Sequence, residues 1–171
     1  MNTITGVFDW LTDPAHWRGS DGVPDRFVEH VALSGVALMI VVAVALPIAL
    51  WLGHVKKGGF VAVNVTNIGR AVPTFAVLTL LALTALGISN LTVVLALVLF
   101  GIPPVLTNAY VGIREVDPRI VEAARGMGMT GMQQLRRVEL PLAIPLVLNG
   151  IRLAAVQIVA TTTIASLVAG P

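Results

Sequence analysis

An all-α integral membrane protein, a polytopic bundle of spanning helices, is predicted by three observations. Hydrophobic residues make up 56% of the chain and charged residues only 12%, against roughly 45–50% and 25% in a soluble domain. The charges cluster in islands, which leaves residues 31–53 and 71–113 uncharged and residues 142–168 with a single charge, Arg152. At about 1.5 Å per residue, such runs are long enough to cross a hydrocarbon core of roughly 30 Å. The longest run is interrupted by Gly87, Ile88, Ser89 and Asn90, a turn-forming cluster that folds it into a hairpin of two spans.

The same composition excludes several function classes. With no cysteine there is no disulfide, thiolate chemistry or cysteine-based metal site. The three histidines, His16, His30 and His54, are scattered and do not form a metal-ligand pattern. A net charge of +2 is too small to suggest nucleic acid as a partner. The N-terminus lacks the basic stretch, apolar core and small-residue cleavage site of a removable signal peptide.

Residues 1–30 form an N-terminal segment outside the membrane, with Trp10 and Trp17 suited to anchoring at the lipid interface. Residues 31–171 form the transmembrane domain. Its first span is 31–53. The second is placed at 60–86, with Arg70 near its aqueous end and Pro73 as a kink. The third occupies 91–110, where Pro103 and Pro104 break or bend it, and the fourth occupies 142–168. Asn64, Asn67 and Arg70 share one face at spacing three and read as groups for interhelical hydrogen bonds. Arg152 is left with two readings: it satisfies helix ends on the inner side, or it lines a path through the membrane.

Orientation follows from the lysine and arginine count of the short connections, which favours the cytoplasmic side. Residues 1–30 carry Arg18 and Arg26 against five acids, whereas 53–70 carries Lys56, Lys57 and Arg70 with none. The N-terminus is therefore expected outside. The island at 114–139, with Arg114, Arg119, Arg125, Arg136 and Arg137, is expected in the cytoplasm.

That island reads as two short helices. Asp117 is a good N-cap with Pro118 at the first helical position, and Ile120, Val121 and Ala124 supply an apolar face before Gly126 and Gly128 end the run. Thr130 and Gln133 form a capping box for a second helix, with Met132, Leu135 and Val138 as its buried stripe and Pro141 as its end. The small residues Ala123, Ala124, Gly126 and Gly128 leave an elbow that a groove on another protein can grip closely. A DNA-binding helix-turn-helix is excluded because both ends of the unit enter the bilayer, which leaves no third helix or soluble core for support.

The four spans carry no Asp or Glu. A carrier driven by protons or sodium is expected to place acids near the midplane, so the energy for any transport comes from elsewhere. The chain has no phosphate-binding loop of the G-x-x-x-x-G-K-[ST] type, so ATP, if used, is bound by another subunit.

Glu122-Ala123-Ala124, Gly128 four residues on, then Val138 and Leu140-Pro141 resemble the signature loop of bacterial ABC-importer permeases, with valine in place of the usual isoleucine. The resemblance extends over residues 104–114, 116–118, 138–145 and 150–152 and the segment from Asn67 to Phe75. Over most of residues 60–170, the chain resembles permeases of glycine betaine/choline-type osmoprotectant importers. The resemblance implies a type I importer fold in the bacterial plasma (inner) membrane, with Glu122, Ala123, Ala124, Gly126, Gly128, Met129, Leu140 and Pro141 in the ATPase-coupling loop. The implied partners are cytoplasmic ATPase subunits that hold ATP and Mg, a second permease subunit (identical or not), an extracytoplasmic binding protein and membrane lipid. No catalytic residue, cofactor or metal is expected in this chain.

Asn67, Pro73, Tyr110, Asn149, Arg152 and Gln157 are candidates for the translocation path. Quaternary ammonium ligands favour aromatic cages, but Trp51, Phe75, Phe100 and Tyr110 are dispersed along the spans, which assigns the selective cage to the binding protein. The family pattern continues past residues 169–170 into a fifth span, so the sequence is expected to be continued by one. Two alternatives remain: a permease for amino acids of the methionine type, and a channel-like membrane protein without an ATPase.

The orientation is open to direct measurement. The native chain has no cysteine, so a cysteine placed at Asp21 should react with an impermeant thiol reagent added outside intact cells, and one placed at Gly131 should not. Reversal of that pattern overturns the assigned orientation.

Overall fold

The computed structural model describes residues 3–20, 22–57, 59, 64 and 74–169. The expected translocation-path residues Asn67 and Pro73, with Arg70 and most of the second expected span, lie outside these residues, as do Gly170 and Pro171. The described residues form helices α1 (Thr3–Thr12), α2 (Val23–His54), α3 (Thr74–Ala82), α4 (Asn90–Arg114), α5 (Pro118–Gly126), α6 (Gly131–Gln134) and α7 (Leu140–Ala169). A π turn, Leu135–Glu139, joins α6 to α7. Among the described residues, three helical stretches are long and apolar enough to cross a membrane: Val23–His54, Asn90–Arg114 and Gly131–Ala165.

The helices overrun the limits that charge suggests. The first span begins at Val23, eight residues before the uncharged run, because Pro24 is favoured in a first turn and Asp25 suits the positive end of the helix dipole. A charge changes which solvent a turn faces without ending the helix. Pro103 and Pro104 lie inside α4 and do not break it. The hairpin at 87–90 is present: Gly87 has φ +59, and Ser89 caps α4 by accepting from the Thr92 N–H. The helix before it ends at Ala82 rather than Leu86, and Thr84 donates its hydroxyl to the Leu81 carbonyl at 2.6 Å in the turn that follows.

Helix α4 packs against both α2 and α7, which also touch each other. Small residues line much of the contact faces, among larger ones such as Leu97, Phe100 and Ile113 of α4, as expected where lipid offers no hydrophobic reward for association. On α2 the buried positions are Ser34, Ala37, Val41, Ala45, Ala49 and Gly53, a narrow stripe one turn apart. At Gly101 of α4 an added Cβ would meet Val41 Cγ2 at 2.7 Å, and at Gly53 it would meet Ile113 Cβ at 2.8 Å. At Gly150 of α7 it would meet Asn108 Cβ at 2.8 Å and the Pro104 carbonyl oxygen at 2.9 Å. The neighbours at Gly150 are backbone or the root of a side chain, so they have little room to give.

Gly150→Ala should therefore lower the stability of the isolated chain in detergent by about 1–3 kcal/mol through overpacking, despite alanine's better helix propensity. Gly35→Ala, where no atom lies within 4 Å of the added Cβ, should gain up to about 1 kcal/mol from that propensity. Thermal unfolding followed by circular dichroism checks both, and equal shifts would contradict the packing.

Candidate functional site

The loop between α4 and α7 folds as the expected elbow. Asp117 Oδ1 accepts from the Arg119 N–H at 2.8 Å, and Pro118 occupies the first turn of α5. The helix closes at Met127, whose N–H bonds the Ala123 carbonyl. Gly128 then turns the chain with φ +81, a left-handed conformation that glycine adopts without Cβ strain. Thr130 and Gln133 make the capping box: the Gln133 side chain accepts from the Thr130 N–H at 2.8 Å and the Thr130 hydroxyl from the Gln133 N–H at 3.4 Å. Gln134, buried, donates Nε2–H to the Met129 carbonyl at 2.7 Å, which ties the second leg back to the turn.

Two details of the expected elbow are corrected. The second leg does not end at Pro141 but continues as one helical path into α7. The π turn makes this feasible: the Leu140 N–H bonds the Leu135 carbonyl five residues back, so the hydrogen-bond register has already shifted where Pro141 has no N–H to give. The buried faces also differ. Val121 and Ala124 are buried as expected but Ile120 is exposed, and Leu135 is buried while Met132 is exposed. The elbow faces the bundle with Val121, Ala124, Gln134, Leu135 and Glu139. It presents Ile120, Glu122, Ala123, Gly126, Met127, Gly128 and Met132 outward.

This outward surface joins apolar knobs and backbone without side chains to a rim of arginines: Arg114, Arg119, Arg125, Arg136 and Arg137 are all exposed. An added Cβ at Gly126 or Gly128 would meet nothing within 4 Å, so the space above both is free for a partner. Of the other coupling-loop residues, Met129 and Leu140 are half-buried and Pro141 is exposed.

Sequence reasoning missed the one acid of the elbow that faces inward. Glu139 is 5% exposed at its side chain, and its Oε2 lies 2.6 Å from Nδ1 of His54 at the end of α2. The available signal was spacing: Leu135, Glu139 and Ala143 recur every four residues along one buried stripe. Pairing with His54, 85 residues away, is a tertiary fact.

The candidate path residues are only partly brought together. Asn149 donates Nδ2–H to Asn108 Oδ1 at 3.1 Å, and Asn108 donates to the Pro104 carbonyl at 2.8 Å. Arg152, one turn beyond Asn149, and Gln157 are exposed on α7. Tyr110 stands apart at the elbow end, its hydroxyl 3.0 Å from where a Cβ at Gly59 would be. At the other end of α2 and α7 an open groove of about 620 Å³ is lined by Phe27, Val31, Leu38 and Val159 with Arg26 and His30. It has no converging set of polar groups to hold a small polar ligand.

The family model described as binding-protein-dependent transport system inner membrane component matches residues 29–171. The glycine betaine/carnitine/choline transport system permease protein OpuCB of Bacillus subtilis (strain 168) is 34% identical over 142 residues, covering 83% of this chain and 65% of that protein. The choline transport system permease protein OpuBB of the same organism is 35% identical over 142 residues, with the same coverage of 83% and 65%. The osmoprotectant import permease protein OsmY of Salmonella typhimurium is 36% identical over 141 residues, 81% of this chain and 59% of that protein. The chain thus spans 65% of the length of the first two relatives.

Proposed function

We propose, from the premise that this chain belongs to the family of binding-protein-dependent transport system inner membrane components, that it is the membrane-spanning permease subunit of an ATP-driven importer. The observation that carries the reading is the elbow: a rigid, doubly capped unit with an outward face of exposed glycine, alanine and methionine, set on the end of a spanning helix. Such a face suits a groove on a cytoplasmic ATPase subunit, which binds ATP and Mg. The permease has no hydrolytic site of its own in this reading and transmits motion from that subunit.

The substrate class is that of glycine betaine, choline and related osmoprotectants, supported by the names of relatives that are 34–36% identical. An extracytoplasmic binding protein delivers the substrate, and a second permease subunit completes the membrane path. The elbow lies in the cytoplasm and the N-terminus outside, a reading supported by the five arginines on and beside the elbow and the acids of residues 1–30. The membrane is the bacterial inner membrane.

Gly126→Trp tests the elbow. An added Cβ there meets nothing within 4 Å and the position is exposed, so insertion and thermal stability should be unchanged while ATPase co-purification and uptake fall to background. Normal co-purification with normal uptake would remove the elbow from the ATPase contact. In proteoliposomes loaded with ATP, uptake by the assembled transporter should persist when proton and sodium gradients are collapsed. Gradient-driven uptake without nucleotide would make the protein part of a secondary carrier.

A further inference from the structure

Among the described residues, two polar contacts tie α2 to α7 or to the π turn that leads into it, one buried and one partly buried, and they lie at opposite ends of the bundle. At one end the hydroxyls of Ser34 and Thr162 are 2.9 Å apart. At the elbow end His54 Nδ1 meets Glu139 Oε2 at 2.6 Å. Roughly 20 residues of helix separate Ser34 from His54, about 30 Å of rise, which is the thickness of the hydrocarbon core. The two contacts are therefore separated by about the depth of one membrane crossing.

The contacts differ in kind. Thr162 also donates to the Ile158 carbonyl of its own helix at 2.9 Å, so its hydroxyl is satisfied without α2. A carboxylate–imidazole pair belongs to the charge-assisted class, about twice as strong as a bond between neutral hydroxyls. Removing either partner leaves the other short of a bond in a largely desolvated place. Lys56 and Arg114 also face Glu139, across a cavity of about 130 Å³ that Gly53 and Ile113 help to line.

The position of the pair in the chain gives it a use. Glu139 is the last residue of the π turn, directly before α7, so a swing of the elbow's second leg against α7 passes through it. His54 also lies close to the other end of the same leg: a Cβ on Gly131 would lie 3.1 Å from His54 Nε2. The imidazole thus sits beside both the start of α6 and the residue that launches α7. An apolar pair of equal volume would fill this space without desolvating a carboxylate. The hydrogen bond adds one fixed geometry between two helices.

We propose that His54 is a positioning residue which, bonded to Glu139 and seated beside Gly131, ties the elbow to α2, so that a movement imposed on the elbow reaches α2 together with α7. The proposal rests on the transport function proposed above. The elbow's outward face is untouched by the pair, so ATPase binding and force transmission are separable.

The complete transporter, with its ATPase subunits and binding protein, is reconstituted in proteoliposomes, and substrate moved per ATP hydrolysed is measured. In His54→Ala and Glu139→Ala the ATPase subunits should co-purify normally, and the transport-to-hydrolysis ratio should fall about tenfold, within the usual range of coupling between sites. The double variant should be no worse than either single one, since both remove the same contact. Glu139→Gln, which keeps an oxygen acceptor, should retain most of the coupling. A wild-type ratio in His54→Ala, or losses that add in the double variant, overturns the joint. Should Glu139→Ala fail to insert, His54→Ala alone decides, because its substitution lies at a helix end and leaves α7 intact. A wild-type transporter without ATP-driven uptake would overturn the function and the coupling role with it, whereas active wild type with unaffected variants overturns the joint alone.

Discussion

In hydrocarbon, apolar side chains gain nothing by leaving lipid for one another, so spanning helices associate where close packing and interhelical hydrogen bonds reward contact. Helix α4 meets both conditions. Gly101 admits Val41 of α2 and Ile158 of α7, and Gly112 lies against Ala143 and Leu146. Gly150 brings α7 onto the backbone of α4 at Pro104. That last contact lies in the turn where the prolines remove hydrogen-bond donors from the helix, and Asn108 donates to the Pro104 carbonyl there. Among the described residues no buried side-chain nitrogen or oxygen lacks a partner, as a low-dielectric surrounding demands.

The elbow depends on this packing because its own helices are too short to stand alone. Helices of nine and four residues are far below the length at which isolated helices persist in water. They hold because Val121, Ala124 and Leu135 are buried against the bundle ends and because each leg is capped at its start. The π turn lets the second leg and α7 form one continuous path, so the elbow is rooted in a spanning helix.

Local chemistry made much of this legible beforehand. The uncharged runs, the turn at 87–90, the Asp117 cap with Pro118 and the Thr130–Gln133 box each depend on neighbours within a few residues, and each is present. The rest was set by partners distant in sequence or by a register change that composition does not encode. Ile120 and Met132 were assigned inward by their apolarity, yet both are exposed; spacing three does not distinguish a stripe facing the bundle from one offered to another protein. Pro141 was read as a stop because a proline usually ends an α-helix, a rule that fails where a π turn shifts the bonds. Charge marks where water begins and leaves helix ends unspecified, so the start of α2 at Val23 was missed. The path residues were the least legible: Asn149 found Asn108, but Arg152, Gln157 and Tyr110 were chosen by polarity alone, and the fold sends them in different directions.

Arg152 sets a condition on what surrounds the bundle. It lies near the middle of a 30-residue helix and is exposed on its surface. In lipid, an arginine at a helix centre costs about 2.5–3.5 kcal/mol on insertion scales, and Asn149 and Gln157 expose further polar groups on the same helix. Exposed polar groups of this kind are stable against protein or a water-filled path, which under the proposed function a second permease subunit would supply. The close contact at Gly150 lies directly after Asn149, which is bonded to α4 there. Pro145 lies inside α7 between Glu139 and that contact and removes a backbone hydrogen bond there, so under the proposed function a displacement imposed at Glu139 acts on the stretch of α7 between the elbow and the Gly150 contact. Glycine at that contact lets α7 approach the backbone of α4 closely, so the two helices meet at a fixed point along α7.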